Sequence, residues 1–201
     1  MAIEAQRIED FRHGRVPREL RERQLLELAE TLFAERGYGA ASMDELARRA
    51  GVTKPVVYEL FGSKDGVFAA CVERAVERLA EEVTAAVRAH TEPEQRLRAG
   101  GIAFLRFASE NRVAWDLISM GGRFAEQARR ARSSQAELIS GLMAEIAVAG
   151  TDPRELDVAA HAVNAAYEGV AHWMWEHPDI PIEQLADWVV QLLLPGLRRF
   201  T

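Results

Sequence analysis

The feature that most constrains this chain is a short stretch, residues 42–64, in which two helix patterns flank one glycine. Ser42, followed three residues later by Glu45, is a capping-box signature for a helix start. Apolar residues then recur at the spacing of one helix face, and Gly51 can adopt the left-handed backbone that ends a helix. The stretch therefore predicts two short helices joined by a turn at Gly51.

The second helix of this pair has a polar outer face. Thr53 is a candidate N-cap, and Pro55 is tolerated in the first helical turn because its missing amide would have no partner there. Val57 and Phe61 lie at i and i+4, so we expect both to point inward. The outer or edge positions are then Thr53, Lys54, Pro55, Val56, Tyr58 and Glu59. This arrangement suggests a helix-turn-helix that reads DNA.

Helical periodicity also extends through the rest of the chain. The predicted helices run from about Pro17 to Tyr38 and over 64–90, 94–109, 112–118, 123–149, 154–176 and 182–199, with a break at Gly121-Gly122 and a kink or early end at Pro195. No stretch has the alternation of a strand, so the predicted fold is all-α. The helix over 64–90 is expected to start in the first module and continue into the second, as a lever between them.

Composition narrows the class of protein. The chain has 201 residues and is 48% hydrophobic, which is enough for a substantial core, yet no apolar run approaches the roughly 20 residues that span a bilayer. The only cysteine is Cys71, so no internal disulfide can form, and the charged N-terminus does not resemble a secretory signal. We therefore expect a soluble, cytoplasmic protein with no membrane partner.

Charge is unevenly distributed along the chain. The formal net charge is −6, which argues against a general nucleic-acid coat. Residues 48–64 nevertheless hold four basic side chains and one acid, Glu59. The basic side chains are Arg48, Arg49, Lys54 and Lys64. Positive charge is thus concentrated on the segment expected to meet phosphate.

Two runs within residues 21–71 resemble one family of regulators. The run R-Q-L-L-E-L-A-E-T-L-F-A-E-R-G-Y precedes A-S-M-D-E-L-A-R-R-A-G-V-T-K-P-V-V-Y-E-L-F-G-S-K-D-G-V-F. The pair resembles the N-terminal domain of TetR/AcrR-type transcriptional regulators. The resemblance implies an arm over 1–19, a three-helix helix-turn-helix DNA-binding domain over 20–66, and a larger helical effector-binding and dimerisation domain over 67–201. The arm is either a polar tail or a further contact with DNA.

The resemblance and the helix geometry together select the expected DNA contacts. These are Ser42, Thr53, Lys54, Pro55, Val56, Tyr58 and Lys64. The recognition helix enters the major groove by its N-terminal end, where Lys54 can donate to guanine or phosphate and Val56 can pack on a thymine methyl. Hydroxyls, lysines and helix-start amides suit phosphate. Pro55 stands where the family often has glycine, and Leu60 where it often has histidine or tyrosine.

A homodimer on double-stranded DNA is the expected assembly. One recognition helix covers too few base pairs for a useful specificity ratio, whereas a two-fold dimer reads a palindromic operator. Residues 156–174 are rich in alanine and aromatics, and 182–197 carry an aliphatic stripe. The resemblance implies that these two helices form a four-helix bundle across the dimer. The alternative is that both stripes are intramolecular core.

The middle helices are expected to bind a small, mostly apolar effector. They contain bulky or adaptable side chains suited to such a site, although the same residue types also fill cores. The candidates are Phe104, Phe107, Trp115, Met120, Phe124, Met143, Tyr167 and Trp173. The polar candidates for orienting a ligand are Asn111, Arg112, His161 and Asn164.

The functional prediction is a TetR-like transcriptional regulator, a repressor released from its operator by the ligand. One alternative is a helix-turn-helix DNA-binding dimer without a small-molecule effector; another is an all-α enzyme with a vestigial helix-turn-helix. The five histidines have no metal-ligand spacing, and no phosphate-binding or dinucleotide glycine motif occurs. We therefore predict no metal, no cofactor and no catalytic residues.

Overall fold

Every regular element in the computed structural model, which describes residues 16–112, 115 and 125–200, is helical. The helices are α1 (Arg18–Ala40), α2 (Met43–Arg49), α3 (Lys54–Phe61), α4 (Lys64–Arg88), α5 (Pro93–Glu110), α6 (Ala125–Ala144), α7 (Pro153–Met174) and α8 (Ile182–Leu197), followed by a 3-10 turn (Arg198–Phe200). No strand occurs in the described part of the chain, and the all-α prediction is confirmed. None of its helices has the length and apolar character needed to cross a bilayer.

The chain divides into two compact units, with the division between Arg74 and Ala75 inside α4. The first unit contains α1, α2, α3 and the beginning of α4. The second contains the remainder of α4 with α5 to α8. A single helix thus contributes residues to both units, as the periodicity over 64–90 predicted.

The core of the first unit is built from the inward apolar faces of α1, α2, α3 and the beginning of α4. Its fully buried side chains include Leu25, Leu32, Leu46, Val57 and Val67. An aromatic group extends this core: the Phe68 ring lies edge-on to Phe33, with ring centroids 5.4 Å apart, and to Tyr38, at 5.3 Å. Gly37, at φ 70°, interrupts helical geometry in α1 near the predicted end of that helix.

The core of the second unit draws on all five of its helices. Its buried residues include Leu79, Val83, Val87, Phe104, Leu105, Phe107, Leu142, Val163, Tyr167, Leu185 and Val189. Helix α5 approaches two neighbours closely, because a Cβ atom on Gly101 would lie 2.0 Å from the Tyr167 hydroxyl and one on Gly100 would lie 2.9 Å from a Val87 methyl. Glycine at these positions therefore permits the packing that encloses the unit's interior.

The predicted end of one helix was wrong, and the early end considered at Pro195 does not occur. Helix α6 ends at Ala144 and not at 149, because the backbone amide of Val148 donates to the Phe200 carbonyl at 2.8 Å and holds the chain outside the helix. Helix α8 continues through Pro195 to Leu197. Proline removes only the amide that would bond to Gln191, which is exposed and can use water instead. Most of the arm over 1–19, most of the helix over 112–118 and the break at Gly121-Gly122 lie outside the described residues.

Gly66 provides a test of the junction between α3 and α4. A Cβ atom at this position would lie 1.9 Å from the Phe61 carbonyl oxygen, so Gly66→Ala must displace backbone. We expect it to lower the free energy of unfolding by about 1–3 kcal/mol. Chemical denaturation followed by circular dichroism measures the change.

Gly39→Ala is the matched control, because a Cβ atom added there would meet nothing within 4 Å and the φ of Gly39 is ordinary. Helix propensity predicts a neutral effect or a gain of up to about 1 kcal/mol there. Equal denaturation midpoints for the two variants would contradict the close approach at Gly66.

Candidate nucleic-acid interface

Local capping fixes the geometry of α2 and the turn after it. The Ser42 hydroxyl accepts a hydrogen bond from the Glu45 amide at 3.1 Å, as predicted for the N-cap. The reciprocal half of the capping box is not formed, because the Glu45 carboxylate accepts from Arg49 at 2.7 Å. Gly51 has φ 65°, and the amide of Val52 donates to the Ala47 carbonyl at 3.0 Å, which closes the turn.

Helix α3 is anchored by one face and exposed on the other. Val57 is fully buried and Phe61 is half-buried, so the predicted inward face is confirmed. The exposed residues of the same helix and its start are Thr53, Lys54, Pro55, Tyr58 and Glu59, with Val56 half-buried between them. Thr53 occupies the N-cap position, as predicted, but its side chain makes no capping hydrogen bond. Its hydroxyl is consequently available to a ligand outside the helix.

Lys54 is held by an acid from the neighbouring helix. Its Nζ lies 2.8 Å from a carboxylate oxygen of Asp44 and 6.0 Å from the centroid of the Tyr58 ring. The hydrogen bond to Asp44 raises the pKa of Lys54. Both partners are exposed, and an ion pair in water contributes little stability. Lys54 can therefore exchange this carboxylate for a phosphate or a base edge at small cost.

Arg49 is structural and does not belong to the basic surface that the charge count suggested. It donates to Glu35 of α1 and to Glu45 of α2, both at 2.7 Å. These hydrogen bonds lower the pKa of each carboxyl group. The Arg48 side chain, by contrast, is 75% exposed. Its contact with Glu45 is long, at 4.0 Å, so the guanidinium can reach outward. Arg48 stands at the end of α2, within the basic run of the sequence. That position could have placed it among the predicted DNA contacts.

Lys64 also has partners within the first unit. Its Nζ donates to the Gly39 carbonyl at 3.1 Å and lies 4.5 Å from the centroid of the Tyr38 ring. The Tyr38 hydroxyl in turn hydrogen-bonds Asp65. Lys64 therefore joins the end of α1 to the start of α4. The predicted DNA contacts thus lie at the start of α2, along the outer face of α3 and at the start of α4.

The second unit has a cavity of about 100 Å³ and a smaller one of about 40 Å³ among its described residues. Phe104 lines both of them. Met143 and Tyr167 line the larger cavity, whereas Phe107 and Trp115 line the smaller one. Of the sequence-predicted polar residues, Asn164 lines the larger cavity and Asn111 the smaller one.

Trp173 is the exception among the described effector candidates. It lines neither cavity: its side chain is 40% exposed, and its ring stacks on His177 with centroids 3.6 Å apart. Position 173 lies on the outer side of α7 because of its rotation about the helix axis. The prediction selected bulky residues by type and took no account of that rotation. Met120 and Phe124 lie outside the described residues. The sequence-based prediction did not include Gln135. This residue could have been recognised as a polar side chain within the apolar stripe of α6.

Comparison with known proteins identifies the family. The family model of bacterial regulatory proteins of the tetR family matches residues 25–71. A TetR-like transcriptional regulator from Rhodococcus sp. RHA1 has a crystal structure that aligns with TM-score 0.66 and 30% identity, covering 92% of this chain and 99% of that one. The chain belongs to the TetR family of transcriptional regulators. It is accordingly a DNA-binding regulator with a helix-turn-helix, and not an enzyme.

Two curated relatives illustrate the range of similarity. The transcriptional activator FasR of Mycolicibacterium smegmatis is 45% identical over 107 residues, covering 53% of this chain and 49% of FasR. The regulator EthR of Mycobacterium tuberculosis is 29% identical over 195 residues, covering 88% of this chain and 87% of EthR. The chain spans about half the length of several curated relatives that it matches.

The ion pair between Lys54 and Asp44 leads to opposite predictions for DNA binding when each of its two members is replaced. Lys54→Ala should weaken binding to a duplex selected from a random pool by roughly 1–3 kcal/mol, because it removes a phosphate or base contact. Asp44→Asn should strengthen binding, because it removes both a competing partner of Lys54 and a charge that repels phosphate. Fluorescence anisotropy over a range of salt concentrations measures both effects.

Two variants control for net charge alone. Arg154→Ala removes an exposed cation from the second unit, and Glu73→Gln removes an exposed acid from α4. Neither should change operator affinity by more than a small factor. If Lys54→Ala bound the selected duplex as tightly as Arg154→Ala, Lys54 would not belong to the interface.

Proposed function

We propose that this protein is a homodimeric repressor that binds a palindromic operator through α3 and is released by a small, mostly apolar ligand. The observation that supports the DNA contact is the outer face of α3, where Thr53, Lys54 and Tyr58 are exposed around one buried anchor, Val57. A helix of this kind can lie in the major groove with its N-terminal residues on base edges. Ser42 and Lys64 then contribute phosphate contacts on either side.

The dimer proposal rests on apolar side chains that the chain leaves exposed on its last two helices. Leu192 is 76% exposed on α8 and Val158 is 69% exposed on α7; Trp188, also on α8, is partly exposed. Large apolar groups clustered on a surface mark interaction sites. A second copy of the same two helices would cover them in a four-helix bundle, and the dimer would present two α3 helices to the two halves of a palindrome.

The larger cavity favours a ligand-controlled regulator over one without an effector. A filled core in the second unit would have supported the effector-free alternative, whereas a cavity of about 100 Å³ is lined by α4, α5, α6, α7 and α8. Ligand binding there would shift the dimer towards a population in which the two α3 helices no longer match the spacing of the half-sites. In this scheme α4 transmits the change, because it belongs to both units.

Repression is the direct consequence when the operator overlaps a promoter. The name of FasR, an activator, supports a second candidate in which the same DNA contact recruits transcription. A promoter fusion in a strain lacking the gene separates the two: restoring the protein should lower reporter output for a repressor and raise it for an activator. We place the protein in the cytoplasm, where its operator is accessible.

Selection of duplexes from a random pool tests the proposal as a whole. We expect an enriched inverted repeat, a stoichiometry of two chains per duplex, and weaker DNA binding once the cavity is occupied. Because coupling is reciprocal, the duplex should weaken ligand binding by the same factor. Enrichment of no sequence would remove the operator proposal, and unchanged duplex affinity at saturating ligand would remove the release mechanism.

The interface has its own prediction. Leu192→Glu should convert the dimer to monomer, because it would place a charge from each copy inside an apolar interface. Sedimentation equilibrium should report the chain mass, and affinity for the full palindrome should fall at least tenfold, with little change in the weak binding to a half-site. Val148→Glu, at an exposed apolar position after α6, is the control and should remain dimeric.

A further inference from the structure

The larger cavity of the second unit has an apolar wall with a small polar region. Most of its lining is aliphatic or aromatic, from Val83 and Val87 on α4 to Leu194 and Leu197 on α8. Its only side chains with hydrogen-bonding groups, among the residues that the structure describes, are Arg96, Gln135, Asn164 and Tyr167. The chemistry of a bound molecule depends on which of these four still has bonding capacity.

Arg96 and Tyr167 are already paired. Arg96 donates to the Leu142 carbonyl at 2.9 Å and to the Glu145 carboxylate at 2.8 Å, and the same carboxylate accepts from Arg88 at 2.7 Å. The Tyr167 hydroxyl donates to the Leu97 carbonyl at 3.3 Å, and burial raises its pKa, so it remains a neutral phenol. Tyr167 therefore brings no charge to the cavity, and the Arg96 guanidinium is already hydrogen-bonded to a carbonyl and a carboxylate.

Gln135 and Asn164 each present a buried polar atom without a partner. Both side chains are buried, with relative exposure of 5%. The Gln135 Nε2 donor and the Asn164 Oδ1 acceptor have no hydrogen-bond partner among the described residues. A buried polar atom left unpaired is costly, so a site that holds one of each kind favours a molecule that satisfies both.

The orientation of the Asn164 amide is fixed from its other side. Its Nδ2 donates to Glu168 at 3.2 Å, and the Glu168 carboxylate accepts from Arg132 at 3.1 Å. Reversing the amide would put its oxygen against that carboxylate. The unpaired atom of this lining residue is therefore its Oδ1 acceptor, which would repel a carboxylate or phosphate placed against it.

We propose that this cavity binds an uncharged, mostly apolar molecule with one group that both donates and accepts a hydrogen bond, as a primary alcohol or a carboxamide does. The group donates to Asn164 Oδ1 and accepts from Gln135 Nε2, while the apolar body lies against the aliphatic wall. The inference rests on the proposed function, since it names the ligand class of the same site. A free carboxylate, as in a fatty acid, fits these two atoms less well, because the Asn164 Oδ1 acceptor would repel it.

A series of eight-carbon probes tests this ligand class on the full-length protein. 1-Octanol and octanamide supply a donor and an acceptor, heptyl methyl ether supplies only an acceptor, and octanoate at pH 8 supplies a charge. Isothermal titration calorimetry should give affinities for the first two at least tenfold above that for the ether, and octanoate should bind more weakly still. Octanoate binding as tightly as octanol, or no probe binding below its solubility limit, would overturn the proposal.

Two substitutions assign the effect to the residues. Gln135→Met and Asn164→Leu keep approximate volume and remove one polar partner each, and either should reduce the preference for octanol over the ether at least threefold. Trp173→Phe, outside both cavities, should leave that preference unchanged. An unaltered preference in both folded variants would overturn the assignment; if a variant does not fold, the probe series on the unaltered chain decides.

Operator binding, measured in the same samples, separates the two proposals. If octanol binds as expected and the selected duplex is retained, the release mechanism fails and the ligand class stands. If octanoate binds best and releases the duplex, the ligand class fails and the regulated function stands.

Discussion

The burial of a few side chains beneath α2 and α3 is the constraint on which the DNA-reading surface depends. Helix α3 has eight residues, and a helix of that length is not stable alone in water. It persists because Val57 is buried with Leu46 in the core of the first unit and because Gly51 supplies the sharp turn before it. Only with that inner face fixed do Thr53, Lys54 and Tyr58 occupy defined outward positions.

The ion pairs within the first unit give its basic side chains two different roles. Arg49 joins α1 and α2 through Glu35 and Glu45, so its charge stabilises the fold and is not displayed. Lys54 has only an exposed partner, Asp44, which a phosphate can replace. A count of charges along the sequence treats the two alike, although their partners give them different functions.

The second unit combines a tightly packed region with a cavity between its helices. Glycines at 100 and 101 let α5 approach α4 and α7, yet about 100 Å³ remains between the helices, and two of the residues that line this space each carry an unpaired buried polar atom. Close packing normally removes such space and pairs such atoms. Both features occur here at one cavity, which is why the proposed effector site is placed there and why its chemistry is argued from Gln135 and Asn164.

The sequence alone determined the helical class, the turn at Gly51, the inward Val57 and the family, because capping residues and helical periodicity act over a few neighbouring positions. It also placed Phe104, Met143 and Tyr167 among the residues that line a cavity. Tertiary contacts decided the rest: α6 stops at Ala144 because Val148 bonds to Phe200, and Trp173 faces outward because of its rotation on α7. Likewise, the contact of Asp44 with Lys54 and the place of Gln135 in the cavity wall form only when separate helices pack. No local pattern in the sequence encodes these contacts.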